Sequence, residues 1–282
     1  MPSRVRRPTL DLVLELPRSV RLATWGTAVL TGGAPMAAAV AAVTGEDEPH
    51  DLQAAPCLEA DSRAATGTPA SRDLAGLLES LRSAGVQGLR VVLPAPGELL
   101  GLPGPAGFNQ AAVEAGECVL ADAPPQGPWW GVVPTITPFG SEWEPGTMVT
   151  WTVYPVASRR VTDVGSVAEA ERLMREAMRR ATEELSRLDV ARWREDAADR
   201  LASVRSGSLA AEALPSATPQ RCVQVLATAM RVRAIVALAA EDDGAAMTGH
   251  EALRRSEALR SLDAVCRRAV AAAANGILEP AH

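Results

Sequence analysis

The sequence predicts an α+β fold, with an N-terminal mixed α/β layer that carries a β-hairpin and a C-terminal antiparallel bundle of three helices. Three observations support this prediction. Short apolar strands alternate with helices between residues 72 and 121, apolar and polar residues alternate along the aromatic-rich segment 129–156, and long helical periodicity fills the C-terminal part. A shift in composition separates the predicted domains, residues 1–156 and residues 157–282.

The first predicted element lies in an uncharged stretch from Leu22 to Val43, which is long enough to span a bilayer. The sequence "TGGAP" interrupts this stretch. We therefore predict two buried helices joined at residues 32–35, with Pro35 at the start of the second helix, rather than a membrane span. Upstream, Asp11 and Glu15 interrupt any apolar core of a signal peptide.

A loop and then a helix–strand–helix–strand pattern follow. Residues 45–71 are acidic and then rich in Ala, Thr and Pro, which predicts a partly mobile loop. The stretch "RDLAGLLESLRSAG" from Arg72 predicts an amphipathic helix, and "LRVVLPAPG" from Leu89 predicts a strand. A helix over "GPAGFNQAAVEAGE" and a strand at Cys118–Ala121 complete the pattern. The Pro/Gly loop at residues 94–108 leads from a strand into a helix, where pockets often form.

The hairpin is predicted from two strands, at residues 131–137 and 148–156. The segment Glu144–Thr147 fits a type II turn, because proline is its second residue and glycine its third. Side chains alternate along a strand, so Trp151 and Tyr154 point to opposite faces. Both faces of the hairpin are therefore expected to carry aromatic area.

Three helices are predicted in the C-terminal part. Capping boxes at "SVAE" (Ser166–Glu169) and "TGHE" (Thr248–Glu251) predict the starts of the first and third helices. The second starts at Thr218, with proline in the first helical position, and its wide apolar arc predicts burial on most sides. The first helix is predicted to run to about Val204 with a bend, and Asn275-Gly276 ends the third.

Composition excludes several classes of function. All 28 basic residues are arginine, which excludes mechanisms that need a lysine Schiff base, a P-loop lysine or a lysine general base. Residues 1–156 carry nine arginines against sixteen acidic residues, a net charge of −7, and the remainder carries +1. This lacks the basic footprint of nucleic-acid binding. The four cysteines are scattered among apolar neighbours, which predicts buried thiols in a reducing cytoplasm.

No motif for catalysis or for a cofactor is present. The patterns GxSxG, GxGxxG, GxxxxGK and CxxC are absent from the sequence. His50 and His250 each lie among acidic residues, but neither stretch has the spacing of a known metal motif. We therefore predict polar loops and helix ends rather than a metal site, and no cofactor.

The aromatic residues mark the best candidate binding site. Six of the nine aromatic residues of the chain fall between residues 124 and 155, which favours either the core of a small sheet or a recognition surface. Trp143 is predicted in the hairpin loop, where a tryptophan is hard to explain as core and where binding residues concentrate. The candidate ligand- or partner-binding residues are Trp129, Trp130, Trp143, Glu142, Glu144 and Phe108.

The leading functional hypothesis is a cytoplasmic binding or adaptor protein that has no catalytic cofactor and acts through protein–protein contacts. Its partner is predicted to be another protein or a second copy of the chain, and neither nucleic acid nor a membrane. The alternative is a small-molecule enzyme or ligand-binding protein, with a pocket between loop 94–108 and hairpin 129–155. In that case Glu98, Glu142 or Glu144 would be the acid/base candidate.

Overall fold

A computed structural model describes most of the chain and separates it into two compact units. We call them the sheet unit (Leu16–Ser166, Glu212–Val223 and Ala271–His282) and the helical unit (Met1–Glu15, Val167–Ala211 and Gln224–Val270). Within these units, the structure describes residues 13–45, 49–55, 72–124, 129–141, 143–157, 165–187, 195–241 and 249–278.

The sheet unit is built on a five-stranded mixed sheet, which confirms the α+β character. The strands follow the order β1-β5-β4-β3-β2; β1 and β5 are parallel, and the other neighbours are antiparallel. The strands are β1 (His50–Ala54), β2 (Leu89–Val92), β3 (Cys118–Ala121), β4 (Trp130–Gly140) and β5 (Pro145–Pro155). The helices are α1 (Arg18–Leu30), α2 (Met36–Thr44), α3 (Leu74–Ser83) and α4 (Ala106–Ala115).

The remaining helices form the helical C-terminal region that the sequence predicts. They are α5 (Val167–Arg187), α6 (Glu195–Ser206), α7 (Gln220–Ala240) and α8 (Gly249–Asn275). Within the helical unit, Arg200 of α6 forms a bidentate ion pair with Glu241. Asp263 of α8 accepts hydrogen bonds from both Arg233 and Arg267. The Arg233–Asp263 pair ties α8 to α7, and the Arg200–Glu241 pair ties α6 to the residue that follows α7. Asp263 and Arg267 lie one turn apart on α8.

Helix α7 differs from its prediction. Of its 21 residues, ten are half-buried, six are buried and five are exposed, so the helix is not buried on most sides. By length and composition this helix could cross a membrane, a test that core helices of soluble proteins also pass. Among the described residues it is the one such helix. The stretch Leu22–Val43 instead contributes to α1 and α2, and Pro35 immediately precedes α2, so the two predicted helices are present. The predicted burial holds for most of α1 but not for α2, in which only Ala39 and Val43 are buried.

The two faces of the sheet are covered by different helices. On one face, Gly26 of α1 lies against Leu89 of β2, and Leu78 of α3 packs beside it. On the other, Phe108 of α4 lies directly over Gly131 of β4, where an added Cβ would come within 2.4 Å of the ring. This second cluster is fully apolar and comprises Phe108, Ala112, Cys118, Leu120 and Val133. The core therefore lies on both faces of the sheet, around β2, β3 and the first residues of β4.

Side chains close the outer edge of β2. The N–H of Leu89 donates to the Thr27 hydroxyl at 2.9 Å. The N–H of Val91 donates to Asn275 Oδ1 at 2.8 Å, and Asn275 Nδ2 donates back to the Val91 carbonyl at 3.1 Å. The amide of Asn275 thus replaces a neighbouring strand, and the edge cannot pair with another chain. Sequence analysis identified Asn275 only as the end of a helix.

A buried carboxylate caps the first helix. Pro17 stands at the N-cap of α1 and has no side-chain acceptor to offer. Glu117, which precedes β3, supplies it: its Oε2 accepts a hydrogen bond from the Ser19 N–H at 2.7 Å. Burial raises the pKa of Glu117, whereas the hydrogen bond from Ser19 and the positive charges of Arg18 and Arg21 act in the opposite direction.

We expect Glu117→Gln to be more stable than the wild type at pH 8, with the difference disappearing as the pH falls to about 4.5. A raised pKa means that the folded state holds this proton more tightly than the unfolded chain does. The protonated carboxyl of Glu117 therefore contributes its full stabilisation at pH values below the pKa that this group has in the unfolded chain. This stabilisation is lost as the pH rises through the higher pKa of Glu117 in the folded state. Glutamine keeps the acceptor for Ser19 without the charge. Urea unfolding of both proteins across this pH range measures the effect.

The exposed Glu114 on α4 provides the matched control, since Glu114→Gln should leave this pH dependence unchanged. A wild type more stable than Glu117→Gln at pH 8 would show that the ionised carboxylate contributes net stability as the cap of α1.

Two local predictions were wrong. Residues 50–54, predicted as loop, form β1: its one large apolar residue, Leu52, carries little strand signal, and pairing with β5 supplies the hydrogen bonds. The hairpin turn lies at residues 141–144 rather than 144–147, because Ser141 and Glu144 exchange both backbone hydrogen bonds. Pro145 and Gly146 are consequently the first residues of β5. The remainder of the predicted loop 45–71 lies largely outside the described residues.

Candidate functional site

The half of the β4–β5 hairpin that carries the turn extends beyond the rest of the sheet. Within the described residues, β3 pairs with β4 only at Gly131 and Val132. From Thr135 to Gly140, every residue of β4 is exposed. We call residues 135–141 and 143–148 the arm. Since no described strand pairs with the outer edge of β4 here and residues 135–140 are exposed, the arm is an accessible surface of the sheet unit.

The tip of the arm has a defined backbone conformation. The N–H of Ser141 donates to the Glu144 carbonyl, and the N–H of Glu144 donates to the Ser141 carbonyl, both at 3.2 Å. The Ser141 hydroxyl also accepts from the N–H groups of Trp143 and Glu144. Gly140 has a φ of +89°, and a Cβ there would lie 2.2 Å from the Glu144 carbonyl oxygen. The chain therefore needs glycine at this position to close the tip.

The arm presents three large apolar side chains to solvent. Trp143 at the tip is 91 % exposed, Phe139 is 51 % exposed and Ile136 is 40 % exposed. The Phe139 ring rests on Gly146, its cross-strand partner. Exposed apolar side chains gathered on one projection are typical of an interaction surface.

The predicted site residues divide into a tip pair and a core group. Trp143 and Glu144 lie together, exposed, at the tip. Trp130 is 2 % exposed and Phe108 is fully buried, so both belong to the core of the sheet unit. Trp129 is half-buried just before β4, and Glu142 lies outside the described residues. The structure thus concentrates the accessible part of the predicted site at the end of the hairpin.

Two prolines of β4 lie at positions whose backbone nitrogen faces away from β5, a feature that sequence analysis overlooked: Pro138 is exposed on the arm and Pro134 is buried at its base. Ser141 and Glu144 are a hydrogen-bonded pair, so every second residue back along β4 bonds to β5 in the same way. Pro138 and Pro134 fall at the intervening positions, where the backbone nitrogen points away from β5. β4 therefore has no outward donor at either position, and at the exposed Pro138 this hinders pairing with another strand. Two prolines four residues apart in a strand are the signal that could have revealed it.

A cavity of about 550 Å³ lies beside the arm within the sheet unit. Phe139 contributes to its wall, so the arm and the cavity share one residue. The other lining residues come from α2, from the start of β1 and from the start of α3: Val40, Thr44, Pro49, His50, Asp73, Leu74 and Ala75. No residue of loop 94–108 lines this cavity.

Trp151 determines the tautomer of His50 at the cavity. The indole Nε1–H of Trp151 donates to His50 Nδ1 at 3.1 Å. An indole nitrogen can only donate, so Nδ1 must be the unprotonated acceptor, and the proton of the neutral ring lies on Nε2. Asp73, also at the cavity, caps α3 by accepting the Gly76 N–H at 2.8 Å. Both polar side chains therefore have structural partners.

The described residues offer little activated chemistry. Burial raises the pKa of Cys118 and raises that of Cys266 to about 12, so both thiols stay protonated and unreactive at neutral pH. Among the residues that the structure places, no group of three or more His, Cys, Asp or Glu side chains could hold a metal ion. His250 is exposed in the first turn of α8.

Comparisons with known proteins cover both halves of the chain. Residues 19–164 match the family model "Rv1486c-like protein, N-terminal domain", and residues 168–271 match "Rv1486c-like protein, C-terminal domain". "Uncharacterized protein Rv1486c" of Mycobacterium tuberculosis is 33 % identical over 228 residues, which are 73 % of this chain and 77 % of that protein. "Uncharacterized protein ML1804" of Mycobacterium leprae is 29 % identical over 209 residues, 68 % of this chain and 69 % of that protein. No solved structure matches the chain.

Proposed function

The chain belongs to the Rv1486c-like family, and we propose that it is a binding or adaptor protein of the cytoplasm that contacts a protein partner through the arm. The observation that carries this proposal is Trp143, 91 % exposed at the tip of a hairpin that two backbone hydrogen bonds between Ser141 and Glu144 close. A large aromatic side chain that projects into solvent is a typical anchor of a protein interface, because tryptophan is enriched among the residues that contribute most of the binding energy.

Three further features support a binding role without a cofactor. The sequence has no lysine, which excludes several covalent mechanisms. The thiols of Cys118, Cys222 and Cys266 are buried, in keeping with a reducing compartment. The helical region, which we propose to be an antiparallel three-helix bundle, offers a frame for holding the sheet unit in a complex or a homo-oligomer.

We expect Trp143→Ala to abolish capture of a protein partner while leaving the fold intact. The test is affinity capture of the tagged protein from its own cells, with quantification of near-stoichiometric partners. Loss of an interface anchor should lower recovery at least about tenfold. Its effect on the free energy of unfolding should stay within about 0.5 kcal/mol, because the side chain is exposed.

Leu253→Ala is the matched control, since Leu253 is an exposed apolar residue of the helical unit. It should retain the partner. Equal recovery with Trp143→Ala and with the wild type would contradict the proposed role of the arm.

A small-molecule ligand is the alternative function, and the cavity beside Phe139 favours it. Its volume, about 550 Å³, lies within the usual range of ligand sites, and its walls are mainly apolar. Native mass spectrometry of the purified protein tests this alternative. A bound small molecule that Leu74→Trp displaces, together with no protein partner, would favour it over the adaptor function.

A further inference from the structure

We propose that the partner presents an apolar pocket rimmed by arginine or lysine, that the Trp143 side chain inserts into this pocket, and that no strand of the partner pairs with β4. This inference rests on the proposed function and adds the chemistry of the partner and the mode of contact. Three independent properties of the arm support it: its backbone edge, its side chains and its charge.

The backbone edge excludes strand addition as the main contact. Partners that add a strand to a sheet obtain most of their affinity from a ladder of backbone hydrogen bonds. On the outer edge of the arm, Pro138 offers no N–H, and Pro134, which is buried at the base of the arm, offers none there either. Of the three outward backbone positions on the arm itself, only Ile136 and Gly140 keep a donor, so a ladder along this edge would be interrupted in its middle. Recognition must come from the side chains instead.

The side chains favour insertion into a pocket over contact with a flat surface. Trp143 stands at the end of the arm, with nothing beside it that buries more than a tenth of its surface. Phe139 and Ile136 lie behind it on the arm and are half-exposed. A protruding anchor with smaller apolar contacts at its base matches the arrangement of a buried hot spot surrounded by weaker contacts that exclude water.

The charge of the arm specifies the rim of the pocket. Between Asp122 and Arg159 the sequence has only two charged residues, Glu142 and Glu144, and no cation. Glu144 is exposed directly beside Trp143. An acidic tip is repelled by nucleic acid and by anionic lipid, and two such tips would repel each other. A protein surface with arginine or lysine around an apolar pocket is the complementary partner.

The experiment begins with a photo-crosslinker at the tip. Trp143→p-benzoylphenylalanine, expressed in the protein's own cells, should give a protein adduct after irradiation, and mapping of the adduct should place it in an apolar site flanked by arginine or lysine. The binding of that purified partner is then measured for wild type and variants at about 50 mM and about 500 mM NaCl.

The variants separate charge from strand addition. We expect Glu144→Gln to weaken binding roughly threefold and Glu144→Arg roughly tenfold at low salt, with both differences shrinking at high salt. Pro138→Thr, which restores the edge donor, should change affinity less than about twofold, because no ladder forms there. Trp143→Ala should abolish binding under all conditions.

Each other outcome has a distinct meaning. An adduct whose partner binds Glu144→Arg as well as or better than the wild type would overturn the cationic rim and leave the adaptor function standing. Tighter binding by Pro138→Thr, with amide-exchange protection of residues 135–140, would overturn the pocket mode in favour of strand addition. An adduct with RNA, with lipid or with a second copy of the chain would also overturn this inference. The absence of any adduct would contradict the proposed function itself.

Discussion

Truncation of Phe108 to alanine is expected to lower the free energy of unfolding by about 3–5 kcal/mol. Phe108 is fully buried, and its ring packs onto Gly131, where the chain leaves room for it by omitting a side chain. It also meets the Tyr154 ring edge to face, with 5.7 Å between centroids. Alanine would leave a cavity that Gly131 cannot fill, so the surrounding sheet and α4 would lose contacts on all sides.

Urea unfolding followed by tryptophan fluorescence measures this change. Phe139→Ala is the matched control, because it removes the same ring from a half-exposed position on the arm. We expect it to cost less than about 1 kcal/mol. Equal destabilisation by the two substitutions would mean that Phe108 does not stabilise the core, and it would support the prediction that Phe108 is a binding residue.

The second large effect is expected at Asn275, where alanine should cost about 2–4 kcal/mol. The substitution removes both hydrogen bonds to Val91 and leaves a buried N–H and a buried carbonyl on β2 without partners. The loss exceeds that of an ordinary hydrogen bond because neither backbone group can reach water. Urea unfolding gives the free energy, and hydrogen exchange at the Val91 amide reports the local effect.

Asn275→Asp separates the two bonds. The carboxylate can still accept from the Val91 N–H but cannot donate to its carbonyl, so it should destabilise the protein even though its shape is nearly unchanged. If Asn275→Ala left both the stability and the exchange of the Val91 amide unchanged, the edge of β2 would not depend on this side chain.

Elements with strong local signals were predicted well. The strand at Cys118–Ala121 has the predicted bounds, because a short apolar run between a glycine turn and a proline-rich loop admits few alternatives. Helix α8 ends at Asn275 as predicted, and α5 begins directly after Ser166. In each case the deciding residues lie within a few positions of one another along the chain.

The candidate site was predicted only in part. The position of Trp143 in the hairpin loop indicated exposure, and the structure places it in solvent at the tip. Trp130 and Phe108 were candidates on the same grounds of aromatic content, yet both lie in the core. Neither the helix residue Phe108 nor the strand residue Trp130 gives a sign in the sequence of what packs against it, because its packing partners are set by the tertiary structure. The cavity at His50 has the same origin, since its walls come from four separate segments.

The sequence alone determined the α+β character, most helix and strand positions, the acidic arm and the lack of lysine chemistry, since these depend on composition and on neighbours within a turn or two. Only the tertiary structure decided that His50–Ala54 joins the sheet, that Asn275 closes its edge, and that β4 outruns β3 to leave the arm uncovered. The first two of these features depend on contacts between residues roughly 100 to 180 positions apart. Such contacts form only where the whole chain lowers its free energy by burying apolar surface and pairing backbone groups, which no short stretch of sequence specifies.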